Sequence, residues 1–381
     1  MRKRISRMLC WFIALLLPVL HAGAEAGWEM PADVQAAVLL ESAGGTVLCG
    51  ENENTACPVA GLSKLPALLT LAQAFDAGTI RDDAAMRVSG HAASIGGPTA
   101  FLDSGEELSA RELMKAAVMI SAGDAIMTLG EGTYGSESVF VENINATLRL
   151  AGVETAVTDA LGTELTLSAA ELGRLGIAAA KSPAFTRYSG LYMDRLVHAD
   201  GRETELVNAN RMVRSYAGCI GLLTGSSAAD GYCGVFAAAK SGTECVAVVI
   251  GARDTAARFA AAAGLLDYGF ATYRTETLAA KGQTVVPGVP VEDGTLHAVD
   301  LVVHEPIVLL LMRNAERPDA VKDVPERLTA PLSEDDPVGE VRFVDGSGEV
   351  LARSKLYPAQ SVPAFRLMDI LHTIARDFLG K

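Results

Sequence analysis

In Ala60-Gly61-Leu62-Ser63-Lys64 a lysine amine follows two positions where a reacting oxygen could stand. Residues three apart share one face of a helix, so a hydroxyl at position 61 could give its proton to the Lys64 amine and attack a carbonyl. Position 61 holds glycine, which has no oxygen to offer. Ser63 does carry a hydroxyl, but neighbouring helical residues point about 100° apart and do not share a face. Ser121-Ala122-Gly123-Asp124 supplies a second hydroxyl, and Leu223-Thr224-Gly225 reads as a strand segment able to pair with an extended peptide. The chemistry on offer is acyl transfer by a lysine-activated hydroxyl, with the hydroxyl missing.

Pro58-Val59-Ala60-Gly61-Leu62-Ser63-Lys64 resembles the P-A-S-x-T-K box of the serine D-alanyl-D-alanine carboxypeptidases, the low-molecular-mass penicillin-binding proteins, with Gly61 in the nucleophile's slot. Ser121-Ala122-Gly123-Asp124-Ala125 resembles the family's S-x-N-D-A, with Gly123 replacing the asparagine, and Leu223-Thr224-Gly225 resembles K-T-G with Leu223 replacing the lysine. Asn208-Ala209-Asn210-Arg211 is similar to the family's N-T-N-R-L segment, and Gly231-Tyr232-Cys233, Ala238-Ala239-Lys240 and Leu265-Leu266-Asp267-Tyr268-Gly269-Phe270 follow as in family members. The likeness runs from about residue 30 to about residue 275 and more weakly to the end.

The resemblance implies an α/β (α+β) fold of the DD-peptidase and serine β-lactamase type, an antiparallel sheet covered by helices over residues 28–275. It also implies a small all-β domain over residues 276–362. It implies an oxyanion hole from the backbone N–H groups of Gly61 and Ser226, which changes of side chain do not delete. Arg258 resembles an arginine that contacts the substrate carboxylate in relatives; as a lone arginine it reads equally as a surface ion-pair partner. Lys64 reads equally as a buried lysine kept for packing. No cofactor is called for.

Loss of the nucleophile alone typically costs on the order of 10⁶ in turnover in a serine hydrolase. Leu223 removes a cation beside the bound carboxylate, roughly 1.5 to 3 kcal/mol for a charged hydrogen bond, and Gly123 removes a positioning amide. The expectation is therefore a pseudoenzyme that binds peptidoglycan stem peptides or an envelope partner without hydrolysing them. The apolar Leu223 tilts this toward a protein partner. One rival is slow carboxypeptidase activity through Ser63 or an activated water; another is a scaffold that acts through its C-terminal β domain.

The elements that must position these residues are legible in outline. Ala37-Val38-Leu39-Leu40 and Thr46-Val47-Leu48-Cys49, joined across Gly44-Gly45, read as a hairpin ahead of the first motif. Leu62, Leu65, Leu68, Leu69, Ala72 and Phe75 have helical spacing, so a helix over residues 63–77 is predicted, with Pro66 in its first turn. Ser109 and Glu112 predict a capping box for a helix ending at Ile120. Gly221 to Thr224, Val235 to Ala239 and the β-branched run Val246 to Ile250 predict three adjacent strands. A closing helix is predicted over Leu265 to Tyr273. Short β-like runs at Val285–Val291, Ala298–Val303, Ile307–Met312, Gly339–Phe343 and Glu349–Ala352 predict the second domain, with Asp345-Gly346-Ser347-Gly348 as a turn.

Arg2, Lys3, Arg4 and Arg7, then an apolar run from Met8 to Leu20 and Ala22-Gly23-Ala24, read as a signal peptide over residues 1–24. This places the mature chain on the extracellular or periplasmic face. Formal charge is −14 for 381 residues; without those four cations 28 basic residues face 46 acidic ones, a net −18. Such a balance disfavours nucleic-acid partners. Cys49, Cys57, Cys219, Cys233 and Cys245 show no C-x-x-C spacing, and the histidines form no ligand pattern, so no metal site is expected. Cys49 and Cys57 read either as a disulfide or as free thiols. Residues 363–381 have Phe365, Met368, Leu371, Ile374 and Phe378 on one face. They resemble the family's amphipathic membrane-surface anchor, or else pack on the β domain.

Overall fold

The computed structural model describes residues 28–365. The expected signal peptide and residues 366–381 of the expected terminal helix lie outside the described residues.

Alternation along the β-branched run near residue 248 explains the architecture. Five strands, β1 (Ala36–Glu41), β2 (Val47–Glu51), β3 (Cys219–Ser227), β4 (Gly231–Lys240) and β5 (Thr243–Ala252), form an antiparallel sheet in the order β2-β1-β5-β4-β3. Val246, Val248 and Ile250 point to one face, and Cys245, Ala247 and Val249 to the other. Both faces are buried, which is why the strand is apolar throughout instead of alternating with polar residues.

Helices α1 (Leu65–Asp76), α2 (Ala110–Ile120) and α3 (Gly123–Tyr134) extend the apolar core of the first face, which itself packs on α4 (Ala169–Ala180). The second meets α5 (Thr255–Thr272). A 3-10 turn at Ala60–Leu62 leads into α1, with Pro66 in the first turn as the sequence predicts. At α2 the capping box is half formed. The Ser109 hydroxyl accepts from the Glu112 N–H at 3.3 Å, but the Glu112 carboxylate goes to Lys115 Nζ at 2.8 Å. The complete box is at Ser168 and Glu171. The closing helix is longer than predicted. It starts at Thr255, where the Asp254 carboxylate accepts from the Ala257 N–H at 2.8 Å, and so contains Arg258.

The C-terminal part is a β domain with its own core around Leu301, Val303, Val341 and Leu356. The predicted runs fall in strands Thr284–Glu292, Ala298–Val302, Ile307–Met312, Gly339–Val344 and Val350–Pro358. The Asp345–Gly348 turn is closed by Gly348 N–H to the Asp345 carbonyl at 2.9 Å. Asp319–Asp323 is a further strand, exposed throughout, that no apolar pattern announces. Val362 and Ala364 make bridges to Leu332 and Gly294, so the chain is still extended where the terminal helix was expected to begin. Cys49, Cys57, Cys219, Cys233 and Cys245 are free thiols, and burial pushes Cys49, Cys233 and Cys245 up to about 12. No helix among the described residues is long and apolar enough to cross a membrane.

Candidate functional site

The three motif segments meet, and where they meet the backbone leaves no space. The turn holding Gly61 packs directly on β3. A Cβ at position 61 would lie 2.6 Å from Ser226 N and 2.7 Å from the Gly225 carbonyl carbon, and a Cβ on Gly225 would overlap the Gly61 carbonyl. Two glycines facing each other are what allow this approach.

The Gly61 N–H does not point into an open hole. It donates to Asp230 Oδ2 at 2.9 Å. Asp230 is 1% exposed, and its other oxygen accepts from the Ser227 hydroxyl. The expectation that Gly61 and Ser226 retain an open pair of oxyanion donors is therefore corrected: the first donor holds an internal carboxylate, and the second faces the Gly61 backbone.

Lys64 reaches the second motif but meets a carbonyl there. Its Nζ donates to the Ser121 backbone oxygen at 2.7 Å, and Ser121, at φ 54°, is the left-handed residue that ends α2. Burial holds the Lys64 amine below its ordinary range, opposed by the nearby Asp124 charge. A folded pKa below the unfolded value means that the unfolded chain binds the proton more tightly. The contribution of Lys64 to stability therefore rises as pH is raised toward 10.5. Urea unfolding at a series of pH values should show that rise in the parent and a flatter curve in Lys64→Met; equal slopes would mean the amine is solvated.

Gly123 sits against Ile95, and a Cβ there would lie 2.7 Å from Ile95 Cγ2 and 3.2 Å from Lys64 Nζ. The asparagine of the family motif has no room in this arrangement. Asp124 beside it is 2% exposed and accepts from the amides of Ala100 (2.9 Å), Leu102 (3.1 Å) and Ala125 (2.8 Å). Its charge at the start of α3 also suits the helix dipole. Ser63 donates to the Leu161 carbonyl at 2.7 Å and is 7% exposed.

Two expectations about the third segment change. Leu223 does not border a groove. It is 3% exposed, opposite Val235 in the core, while Leu222 takes φ 79° and is buried as well. Arg258 is neither an open carboxylate contact nor a surface ion-pair partner. It is 5% exposed, and its Nη1 donates to the Gly225 carbonyl at 3.1 Å and the Cys233 carbonyl at 3.2 Å. Its guanidinium lies 4.6 Å from the Phe259 ring centre, and burial lowers its pKa. It thus ties β3 to β4 and α5 from behind.

Gly61, Lys64, Ser121, Gly123, Gly225 and Ser226 are brought together, with Arg258 bonded to the Gly225 carbonyl; Leu223 faces the core, and Thr224 is half-buried in the strand. Sequence reasoning missed Asp230, Ile95 and Leu161. An aspartate between two strands reads as a turn residue, so nothing singled it out. Cavities of about 490 and 510 Å³ are lined by Phe75, Ile80, Met114 and Tyr188, and by His91, Met127, Leu161 and Glu164. Neither includes Gly61, Lys64, Thr224 or Gly225.

Comparison with known proteins gives the family and the fold. Residues 24–254 match the family model described as D-alanyl-D-alanine carboxypeptidase. Residues 273–364 match the one described as penicillin-binding protein 5, C-terminal domain. The chain is 31% identical over 334 residues to the D-alanyl-D-alanine carboxypeptidase DacF of Bacillus subtilis, covering 86% of this chain and 85% of that protein. To the carboxypeptidase DacC of Escherichia coli it is 27% identical over 287 residues, covering 70% and 68%. Penicillin binding protein 5 from Haemophilus influenzae superposes with a TM-score of 0.73 at 21% identity, over 88% of this chain and all of that one, which shows the shared fold.

Proposed function

The chain belongs to the D-alanyl-D-alanine carboxypeptidase family, the penicillin-binding class that acts in peptidoglycan metabolism, and from that premise we propose that it is a catalytically inactive member that binds an envelope protein partner without hydrolysing it. One observation carries the reading: the Gly61 backbone lies against Gly225 and Ser226, where a substrate carbonyl would have to enter. A peptide that paired with β3 from this side would compete with the protein's own chain. This weighs against stem peptides and in favour of a protein partner. Ser63 gives no support to residual carboxypeptidase activity, because its hydroxyl is held by the Leu161 carbonyl and not by Lys64.

Fluorescent penicillin tests the proposal. Purified protein should carry no covalent label, since an ester needs an oxygen that position 61 lacks. A label that survives denaturing electrophoresis and maps to residues 58–64 would overturn it. Titration with a D-Ala-D-Ala peptide should give no saturable heat.

A further inference from the structure

We infer that the free edge of the ribbon strand Glu203–Val207 is a docking edge for an extended, basic segment of a protein partner; the inference rests on the inactive-binder reading above. Met193–Val197 and Glu203–Val207 form a two-stranded ribbon that joins no larger sheet among the described residues. Met193 pairs with Val207, Arg195 with Glu205 and Val197 with Glu203. Asn208 N–H donates to the Tyr192 carbonyl and His198 N–H to the Arg202 carbonyl. The ladder bonds therefore fall at even-numbered residues, and the amides and carbonyls of the odd-numbered ones point sideways. On the first strand Lys115 Nζ covers the Arg195 carbonyl at 2.7 Å. On the second, the N–H and C=O groups of Glu203, Glu205 and Val207 have no partner among the described residues. Such an edge accepts an added strand.

The ribbon's side chains say what kind of strand. The pleat sends Leu196, His198 and Leu206 inward and leaves Met193, Val197 and Val207 outward, 55%, 47% and 40% exposed. Arg195 reaches Glu203 at 3.1 Å, and Glu205 has no cation among the described residues. An arriving segment that carries Lys or Arg opposite Glu205 and an apolar residue beside Val207 complements that face.

An aromatic anchor stands close by. Phe101 is 67% exposed at φ 60°, a conformation that strains a bulky residue and persists only where its surroundings impose it. Asp124 holds the amides on both sides of it, and Arg202, next to the free-edged strand, donates to the Phe101 carbonyl at 2.9 Å. Thr204 donates to the Ala100 carbonyl at 3.3 Å. The loop is thus tied to the strand whose edge is open.

The opposing interpretation is that Glu203 and Glu205 guard the edge against any pairing. Isotope-labelled protein titrated with a short peptide alternating threonine with lysine and valine, and with its glutamate-for-lysine counterpart, separates the two. The basic peptide alone should slow exchange of the Glu205 and Val207 amides roughly 10-fold and shift the Phe101 ring signals. Val207→Pro removes an N–H that makes no ladder bond, so the fold tolerates it and the slowing should vanish. Glu205→Lys should transfer the preference to the acidic peptide. No slowing, equal slowing by both peptides, or slowing untouched by both substitutions overturns the inference. Penicillin labelling is read separately and bears on the proposed function alone.

Discussion

Gly61→Ser should leave the protein unlabelled by penicillin and lower its stability by about 1 to 3 kcal/mol, the usual cost of adding atoms to a packed interior. The new Cβ would lie 2.6 Å from Ser226 N, and that atom is backbone, so relief requires β3 to shift. Shifting it strains the Arg258 bonds to Gly225 and Cys233 and the Asp230 bond to the Gly61 N–H. Adding Gly123→Asn and Leu223→Lys should deepen the loss, because the first meets Ile95 and the second buries a cation in the core. Urea midpoints and gel labelling check this together. Penicillin labelling of Gly61→Ser with an unchanged midpoint would show that the two segments separate freely.

Asp124→Ala should cost at least about 3 kcal/mol, since each buried donor left unpaired costs roughly 1 to 3. The Ala100, Leu102 and Ala125 amides all lose their acceptor, and the Lys64 amine loses its nearby opposite charge. The loss should be local as well as global. Faster amide exchange at Ala100 and Leu102 should accompany it, and Phe101 should relax from its positive φ. A change under about 1 kcal/mol with both amides still protected would mean that other contacts hold the loop.

The parts of the fold that the sequence disclosed are those with a period. Val246 to Ile250 is too apolar for a half-exposed strand, and it proves to be covered on both faces. Leu65, Leu68, Leu69 and Ala72 mark the helix that α1 provides. Thr255 to Gly264 escapes because an alanine-rich stretch has little contrast between faces, and Arg258 within it reads equally as a carboxylate contact and as a surface ion-pair partner. Leu223 reads as a site residue because it stands in the slot of the motif lysine. The positive φ of Leu222, next to the register shift opposite Ala237 and Ala238, places consecutive leucines in the interior.

The vacancy at position 61 was legible from one letter; the closure around it was not. That closure depends on Asp230 reaching a residue 169 positions away, and on glycines 61 and 225 facing each other. No spacing rule connects such pairs. Motifs reveal which groups are missing, whereas only packing reveals what has moved into the space.

The approach of Gly61 to Gly225 has a historical corollary. Restoring a serine at position 61 meets the Gly225–Ser226 backbone, and restoring the amide at 123 meets Ile95, so each backward step is opposed by an atom that is already in place. A lineage in this state is held by an epistatic ratchet. If the chain is inactive as proposed, regaining hydrolysis demands several concerted replacements, and selection is left to act on whatever the molecule recognises.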